Sequence, residues 1–365
     1  MTHIKFYHQI ISPVNNMQYR IFLLIGLLAA CWHTSSFAQS RQYKVVNIGF
    51  YNLENFYDTL HQEGVNDYEF LPTGKKRYTG DVYLDKLKNL ASVIKDIGTD
   101  ISPEGLTVLG VSEIENRGVL EALTHHDYLK SRNYQIVHYD SPDSRGVDVG
   151  LLYNPAHFTV IDSRPLRVDL PPDANGYRHK TRDVLWVKGS IDGQIIHIFV
   201  NHWPSRLGGE AASAPNRAVA ADVCRKFIDS LYKEDPNVNA VVMGDLNDNP
   251  TNESVTKVLK AGGNADKLKS QELFNPWVAF YNRGIGTLAY QDAWALFDQI
   301  IISQNLLVKK DEQFRFYKAN IFKREDMIQT SGRYKGYPKR TYDFDNYAGG
   351  FSDHFPTYIT LIKAL

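Results

Sequence analysis

The chain alternates between short, strongly apolar runs and polar breaks along most of its length. Strand-length runs rich in β-branched and aromatic residues fall at 45–51, 106–113, 134–139, 147–153, 184–191, 195–201, 240–244, 296–303 and 357–362, each bounded by turn residues. Helical spacing shows in Leu84, Leu87, Ala91 and Ile94, with Gly98 as the stop, and in Val219, Val223, Phe227 and Leu231 after Pro215. A third helix is expected over 251–259, ending before Gly262-Gly263. The runs at 184–191 and 195–201 adjoin through Asp192-Gly193 and read as a hairpin, whereas other strands stand singly between helices. This mixture predicts an α/β protein with much antiparallel sheet, in one domain over about 42–363.

The N-terminus follows a different pattern. Residues 1–20 carry Lys5 and Arg20 and no acid, and the apolar run 21–32 leads to Ser36-Phe37-Ala38-Gln39. A basic start, a short apolar core and small residues before a cleavage point describe a signal peptide over 1–38. The run is shorter than the roughly 20 residues that span a bilayer, so no stable membrane span is expected. Leu28-Ala29-Ala30-Cys31 also resembles a lipobox, which would place a lipid anchor on Cys31. Both routes export the protein, to the periplasm or medium or to a lipid-anchored place at the envelope.

Past the leader, Cys224 is the one remaining cysteine, so no intramolecular disulfide is expected, and its helical setting suits a buried, inert thiol. The formal charge is 0, and losing Lys5 and Arg20 takes it to about −2. That argues against a large electrostatic footprint for nucleic acid, while leaving room for a local basic patch. Segment 309–343 is such a candidate: ten Lys/Arg are interleaved with Phe314, Phe316, Tyr317, Phe322, Tyr334, Tyr337 and Tyr342. It reads either as a solvated flap with inward aromatics or as a polyanion contact.

Polar residues concentrate where apolar strands end: Asn52-Leu53-Glu54-Asn55, Ser112-Glu113-Ile114-Glu115-Asn116, Asn201-His202-Trp203-Pro204-Ser205-Arg206, Gly244-Asp245-Leu246-Asn247-Asp248, Asp298-Gln299 and Ser352-Asp353-His354. Asp148 opens a further strand. One such cluster is an ordinary turn or helix cap. Six abutting apolar strands imply strand ends converging on one pocket. Carboxylates and amides without a cysteine ligand suit a hard cation such as Mg²⁺, Mn²⁺ or Ca²⁺. Two histidines can carry protons or hydrogen-bond phosphate near neutral pH, and Arg206 offers a fork for phosphate oxygens. No Gly-rich phosphate loop, Gly-x-Ser-x-Gly or His-Glu-x-x-His is present, which disfavours an NTPase, a serine hydrolase and a zinc enzyme.

In order and content these motifs resemble the endonuclease/exonuclease/phosphatase superfamily over nearly the whole mature chain. The resemblance implies a four-layer sandwich of two packed, mixed, largely antiparallel sheets flanked by helices. It implies Glu113 as principal metal ligand, with Asn52 and Asp353 near the ion or phosphate. Asp245 and Asn247 match the pair that handles the attacking water, His354 the essential histidine, and Asp298 its orienting carboxylate. His202 matches a second histidine, with Asp148 as its expected partner. Asn201 and Arg206 are expected at the substrate phosphate. Glu115 stands where the deoxyribonuclease branch has a basic residue, and reads either as a contact to a second metal or as a helix N-terminal acid.

The expected activity is Mg²⁺-assisted hydrolysis of phosphodiesters by in-line attack of water, in an exported nuclease or nucleotide phosphodiesterase. Alternatives are a phospholipid or sphingomyelin-type phosphodiesterase and a small-molecule phosphatase. Absence of the Pro-Ser-Trp-Cys-Asp-Arg signature disfavours inositol polyphosphates. No exposed apolar hairpin for membrane docking is evident, and filled catalytic positions disfavour a decayed binding module. Residues 283–294, with Gly284 and Gly286, precede Asp298 and could cover the pocket, while Trp294 is expected in the core.

Overall fold

A computed structural model describes residues 42–173 and 175–365, so the leader and Cys31 lie outside the described residues. Its strands, in chain order, are β1 (Tyr43–Phe56), β2 (Val108–Ile114), β3 (Gln135–His138), β4 (Asp148–Tyr153), β5 (Thr159–Leu166), β6 (Val184–Ile191), β7 (Gln194–His202), β8 (Ala240–Asp245) and β9 (Ala261–Gly262). They continue with β10 (Leu273–Phe274), β11 (Leu288–Tyr290), β12 (Ala293–Ala295), β13 (Asp298–Ser303), β14 (Arg315–Ile321), β15 (Tyr342–Asp343), β16 (Asn346–Tyr347) and β17 (Thr357–Ala364). The helices are α1 (Gly80–Ile94), α2 (Arg117–His125), α3 (Glu210–Glu234) and the single turn α4 (Trp277–Tyr281).

Two sheets carry the fold. One has the order β14-β17-β1-β2-β4-β3 and the other β5-β6-β7-β8-β13-β10-β9, with β1–β2, β7–β8 and β9–β10 parallel among mainly antiparallel pairs. Both central regions are covered on two faces, which is why their strands read as continuous apolar runs rather than alternating ones. Ile48, Phe50 and Leu151 of the first sheet meet Ile198, Val241, Met243 and Ile300 of the second between the sheets. The opposite faces turn outward: Leu109 and Val111 pack with Leu90 of α1 and Leu120 of α2, while Phe199, Val242 and Ile301 pack with Cys224 and Ile228 of α3. The result is the expected four layers.

Local departures have physical causes. The helix expected over 251–259 is a single π turn, Ser254–Val258, because Lys260 at φ +60° reverses the chain into β9. Leu84 is 59% exposed on α1, whereas Lys86 is buried, so a polar partner inside the fold overrides the apolar stripe. Strand β5 lies at a sheet edge and exposes most of its residues, leaving no apolar run to signal it. The basic segment splits. Its start is edge strand β14, after a buried Phe314, and its remainder runs irregularly towards the strand ends that hold the polar clusters.

Candidate active site

Strand register gathers the polar clusters at one edge. Asn52 lies opposite Ser112, next to Glu113; His202 lies opposite Asp245; and Asp245 lies opposite Asp298. Thr357, three residues beyond His354, pairs with Phe50 of β1. Gly244 permits the closest of these approaches. At φ +159° a Cβ there would stand 2.3 Å from the Asn201 carbonyl oxygen, so only glycine lets β8 carry Asp245 this close to β7. Backbone strain collects here too. Glu54, Asn55, Glu113 and Asn247 have φ of 47°, 50°, 58° and 49°. A left-handed non-glycine residue costs about 1–3 kcal/mol and persists only where surrounding packing dictates it.

Glu113 and Asp245 share one amide. Asn52 Nδ2 donates to Glu113 Oε1 at 3.3 Å and to Asp245 Oδ2 at 3.1 Å, and the Asn55 N–H donates to Glu113 Oε2 at 2.9 Å. Asp245 Oδ1 accepts from the Asn247 N–H at 2.9 Å. Burial, together with the Asp298 and Glu113 charges and against the pull of His354, lifts the Asp245 carboxyl to about 6. Two imidazoles face its other oxygen: His202 Nε2 at 3.7 Å and His354 Nε2 at 3.9 Å from Oδ2.

The two histidines have opposite character. His354 Nδ1 donates to Asp298 Oδ2 at 2.7 Å, and the Thr287 hydroxyl donates to the same oxygen. Burial works against the His354 imidazolium, but Asp298, Asp245 and Asp353 together hold its pKa well above the usual value. His202 is pushed well below it, first by burial and then by Arg182, Arg145 and His354. Its Nδ1 is buried with no hydrogen-bond partner. The pocket thus presents one imidazolium and one neutral imidazole to a single carboxylate.

The carboxylates also fit a divalent cation. Glu113, His202 and Asp245 offer ligand atoms within 4.8 Å of one another, as do Asp245, Asp298 and His354. Glu113 and Asp245 are like charges crowded in a buried place, and their oxygen donors match a hard cation that would relieve the crowding.

The endonuclease/exonuclease/phosphatase family model matches residues 47–363. The chain belongs to that family. A family protein from Bacteroides thetaiotaomicron has 13% identity and a TM-score of 0.52, covering 88% of this chain and 98% of its own. A mannosyl-6-phosphatase of the same organism has 14% identity and a TM-score of 0.52, covering 87% and 99%. TDP2 from Caenorhabditis elegans has 16% identity and a TM-score of 0.52, covering 94% and 86%. No curated relative matches the sequence. Membership makes the protein a hydrolase of phosphoester bonds in a divalent-metal-dependent family.

Within this endonuclease/exonuclease/phosphatase pocket, Glu113, His202, Asp245, Asn247, Asp298 and His354 stand together. Three other expectations, those for Asp148, Asn201 and Arg206, need correction. Asp148 does not orient His202: its carboxylate accepts from the Ser141 N–H and hydroxyl and pairs with His138 Nε2 at 3.0 Å. Asn201 is fully buried, accepting from Trp203 Nε1 and donating to the Phe199 and Met243 carbonyls, so it is structural rather than a phosphate contact. Arg206 is spent on the loop, donating to the Asn247 carbonyl at 2.8 Å, pairing with Asp248 and Glu210, and stacking on Phe297. Asn52 lies among these carboxylates, its amide NH₂ turned to Glu113 and Asp245 while its Oδ1 accepts from the Glu54 N–H. Asp353 pairs with Arg340 at 2.9 Å and keeps its Oδ1 3.9 Å from His354 Nε2, so it stays beside the pocket. Glu115 accepts from the Asp58 N–H and, lifted by burial to about 8, stands apart from the Glu113 group, while Asn116 caps α2.

Other residues build the site through partners that the sequence does not signal. Arg182 donates to the His202 and Trp203 carbonyls and pairs with Asp143, fixing the end of β7. Lys86 reaches through the fold to Thr341 Oγ1 at 2.6 Å, and burial lowers its pKa to about 8. Glu54, within the Asn52–Asn55 cluster, accepts from the Thr341 N–H and pairs with Arg340. Neither residue type nor spacing announces these long-range partners.

Proposed function

We propose that this protein is an exported, Mg²⁺-dependent phosphodiesterase acting on nucleic acid fragments or nucleotides. One observation carries the reading: the imidazoles of His354 and His202 flank the buried Asp245 carboxylate, with their Nε2 atoms 3.9 and 3.7 Å from one oxygen. Phosphodiester hydrolysis needs a base for water, charge on the phosphoryl oxygens and a proton for the leaving oxygen. Asp245, at about 6, is an ionised base at neutral pH, and Asn247 is tethered to it through its own N–H. His354, held cationic by Asp298, neutralises a phosphoryl oxygen or protonates the leaving oxygen. His202 stays neutral and hydrogen-bonds a second oxygen. Glu113 would hold the divalent ion, which when bound supplies Lewis-acid charge at the phosphate. Export rests on the 1–38 leader, and no helix among the described residues is long and apolar enough to cross a membrane.

The mannosyl-6-phosphatase likeness keeps a monoesterase for small phosphorylated sugars as the second reading. Side-by-side hydrolysis of bis-p-nitrophenyl phosphate, p-nitrophenyl phosphate and plasmid DNA separates the two, each with Mg²⁺ or with EDTA. The expected result is metal-dependent diester turnover that His354→Ala removes. Turnover of the monoester alone would overturn the diesterase reading.

A further inference from the structure

Beside Asp353 a cavity of about 530 Å³ opens between the β11–β12 hairpin and the loop 333–348, within the ~300–1,000 Å³ range of small-molecule sites. A second cavity of about 260 Å³, lined by Glu54 and Lys76, shares Tyr334, Arg340, Asp343 and Phe344 with it. Each hairpin tip bordering the larger cavity holds out an aromatic ring. Tyr290 is 72% exposed and Phe344 76% exposed.

Neither tip has the residues its turn would choose. Phe344-Asp345 is a two-residue connection between paired Asp343 and Asn346, and Phe344 has φ +52°, where a hairpin ordinarily uses glycine. Gln291-Asp292, between paired Tyr290 and Ala293, has φ of 48° and 62° without a glycine. Both tips are pinned. Lys76 Nζ donates to the Phe344 carbonyl at 2.5 Å, and Lys75 and Lys76 pair with Asp345 at 3.0 and 3.1 Å. The Tyr337 hydroxyl donates to Asp292 Oδ1 and accepts from the Asp292 N–H, both at 2.7 Å. A bulky aromatic kept exposed in an unfavourable, anchored backbone points to a ligand rather than to folding.

We propose that Tyr290 and Phe344 form a clamp for the base of the nucleotide whose phosphate is cleaved at Asp245 and His354; this rests on the phosphodiesterase reading above. An unstacked base offers a π face to such rings and is held by stacking without sequence readout. A lining that mixes aromatic rings with charged and polar groups suits a nucleoside rather than a lipid tail. Arg333 and Arg340 line the cavity, and Arg340 bridges it to the site through Asp353 at 2.9 Å and Glu54 at 3.3 Å. Of the acids at the rim, Asp292 is engaged by Tyr337, and Asp343 faces the Arg340 charge.

Thymidine 5′-(p-nitrophenyl phosphate) and methyl p-nitrophenyl phosphate share a leaving group and differ in the nucleoside. Their kcat/KM ratio would be measured with Mg²⁺ for the native protein, Tyr290→Ala and Phe344→Gly. The native ratio is expected well above ten and falls roughly ten- to hundredfold in either variant, mainly through KM. Phe344→Gly is expected to unfold no earlier than native, since glycine relieves the positive φ. A native ratio near one, or a ratio the variants leave in place, overturns the clamp. If neither ester turns over, the phosphodiesterase reading fails and titration calorimetry judges the clamp by itself. A preference for thymidine 5′-monophosphate over ribose 5-phosphate that is lost in Phe344→Gly supports it, and equal affinities overturn it.

Discussion

Asp298 and His354 come from separate elements and meet side chain to side chain, Oδ2 to Nδ1, at 2.7 Å inside the fold. The carboxylate fixes the ring's orientation and raises its pKa against the effect of burial. Asp298→Asn removes that charge, so His354 loses its proton at lower pH. The rate is expected to fall about 10²–10⁴-fold at neutral pH. In a pH–rate profile on bis-p-nitrophenyl phosphate, the alkaline limb is expected to move to lower pH. An unshifted limb would separate His354 protonation from catalysis.

Glu113 sits at φ +58° with both carboxylate oxygens hydrogen-bonded towards the pocket. If it is a ligand, Mg²⁺ at about 100 times its Kd stabilises the native protein by about 2.7 kcal/mol. Glu113→Gln is expected to abolish the corresponding rise in unfolding temperature, together with metal-dependent turnover. An Mg²⁺ shift retained in the variant would place the ion elsewhere.

Arg206 clamps the Asn247 loop by its carbonyl, through a side chain already engaged with Asp248 and Glu210. Arg206→Ala is therefore expected to lower kcat, on the order of tenfold for a displaced catalytic loop, with KM nearly unchanged. A large KM increase at constant kcat would return Arg206 to the substrate.

Glu54 links stability to pH. Burial foremost, with Asp353 adding and Lys86 and Arg340 opposing, raises its pKa from 4.5 to about 7. Because the folded value is the higher one, its contribution is fully present below pH 4.5 and is lost as pH rises to about 7. Glu54→Gln removes that dependence. In EDTA, the native protein is expected to lose on the order of 3 kcal/mol relative to the variant across that interval. Thermal unfolding at stepped pH measures it, and parallel pH curves would contradict it.

The layered α/β fold was legible in the sequence, because strands buried on both faces must be apolar throughout and therefore stand out. The clusters holding Glu113, His202, Asp245, Asn247, Asp298 and His354 were equally legible as polar groups abutting buried strands, which are costly unless they converge, and strand register does bring them to one edge. Tertiary structure alone decided who pairs with whom. Asp148 and Arg206 are the right residue types near the right strands, yet Asp148 serves His138 and Arg206 serves the Asn247 loop. Lys86 and Thr341 meet across 255 positions of sequence, and Phe344 and Tyr290 border one cavity from separate hairpins. Strand propensity and burial are properties of neighbouring residues and are written locally. Side-chain pairing and cavity shape depend on register and on long-range approach of backbones, which appear only once the sheets have closed.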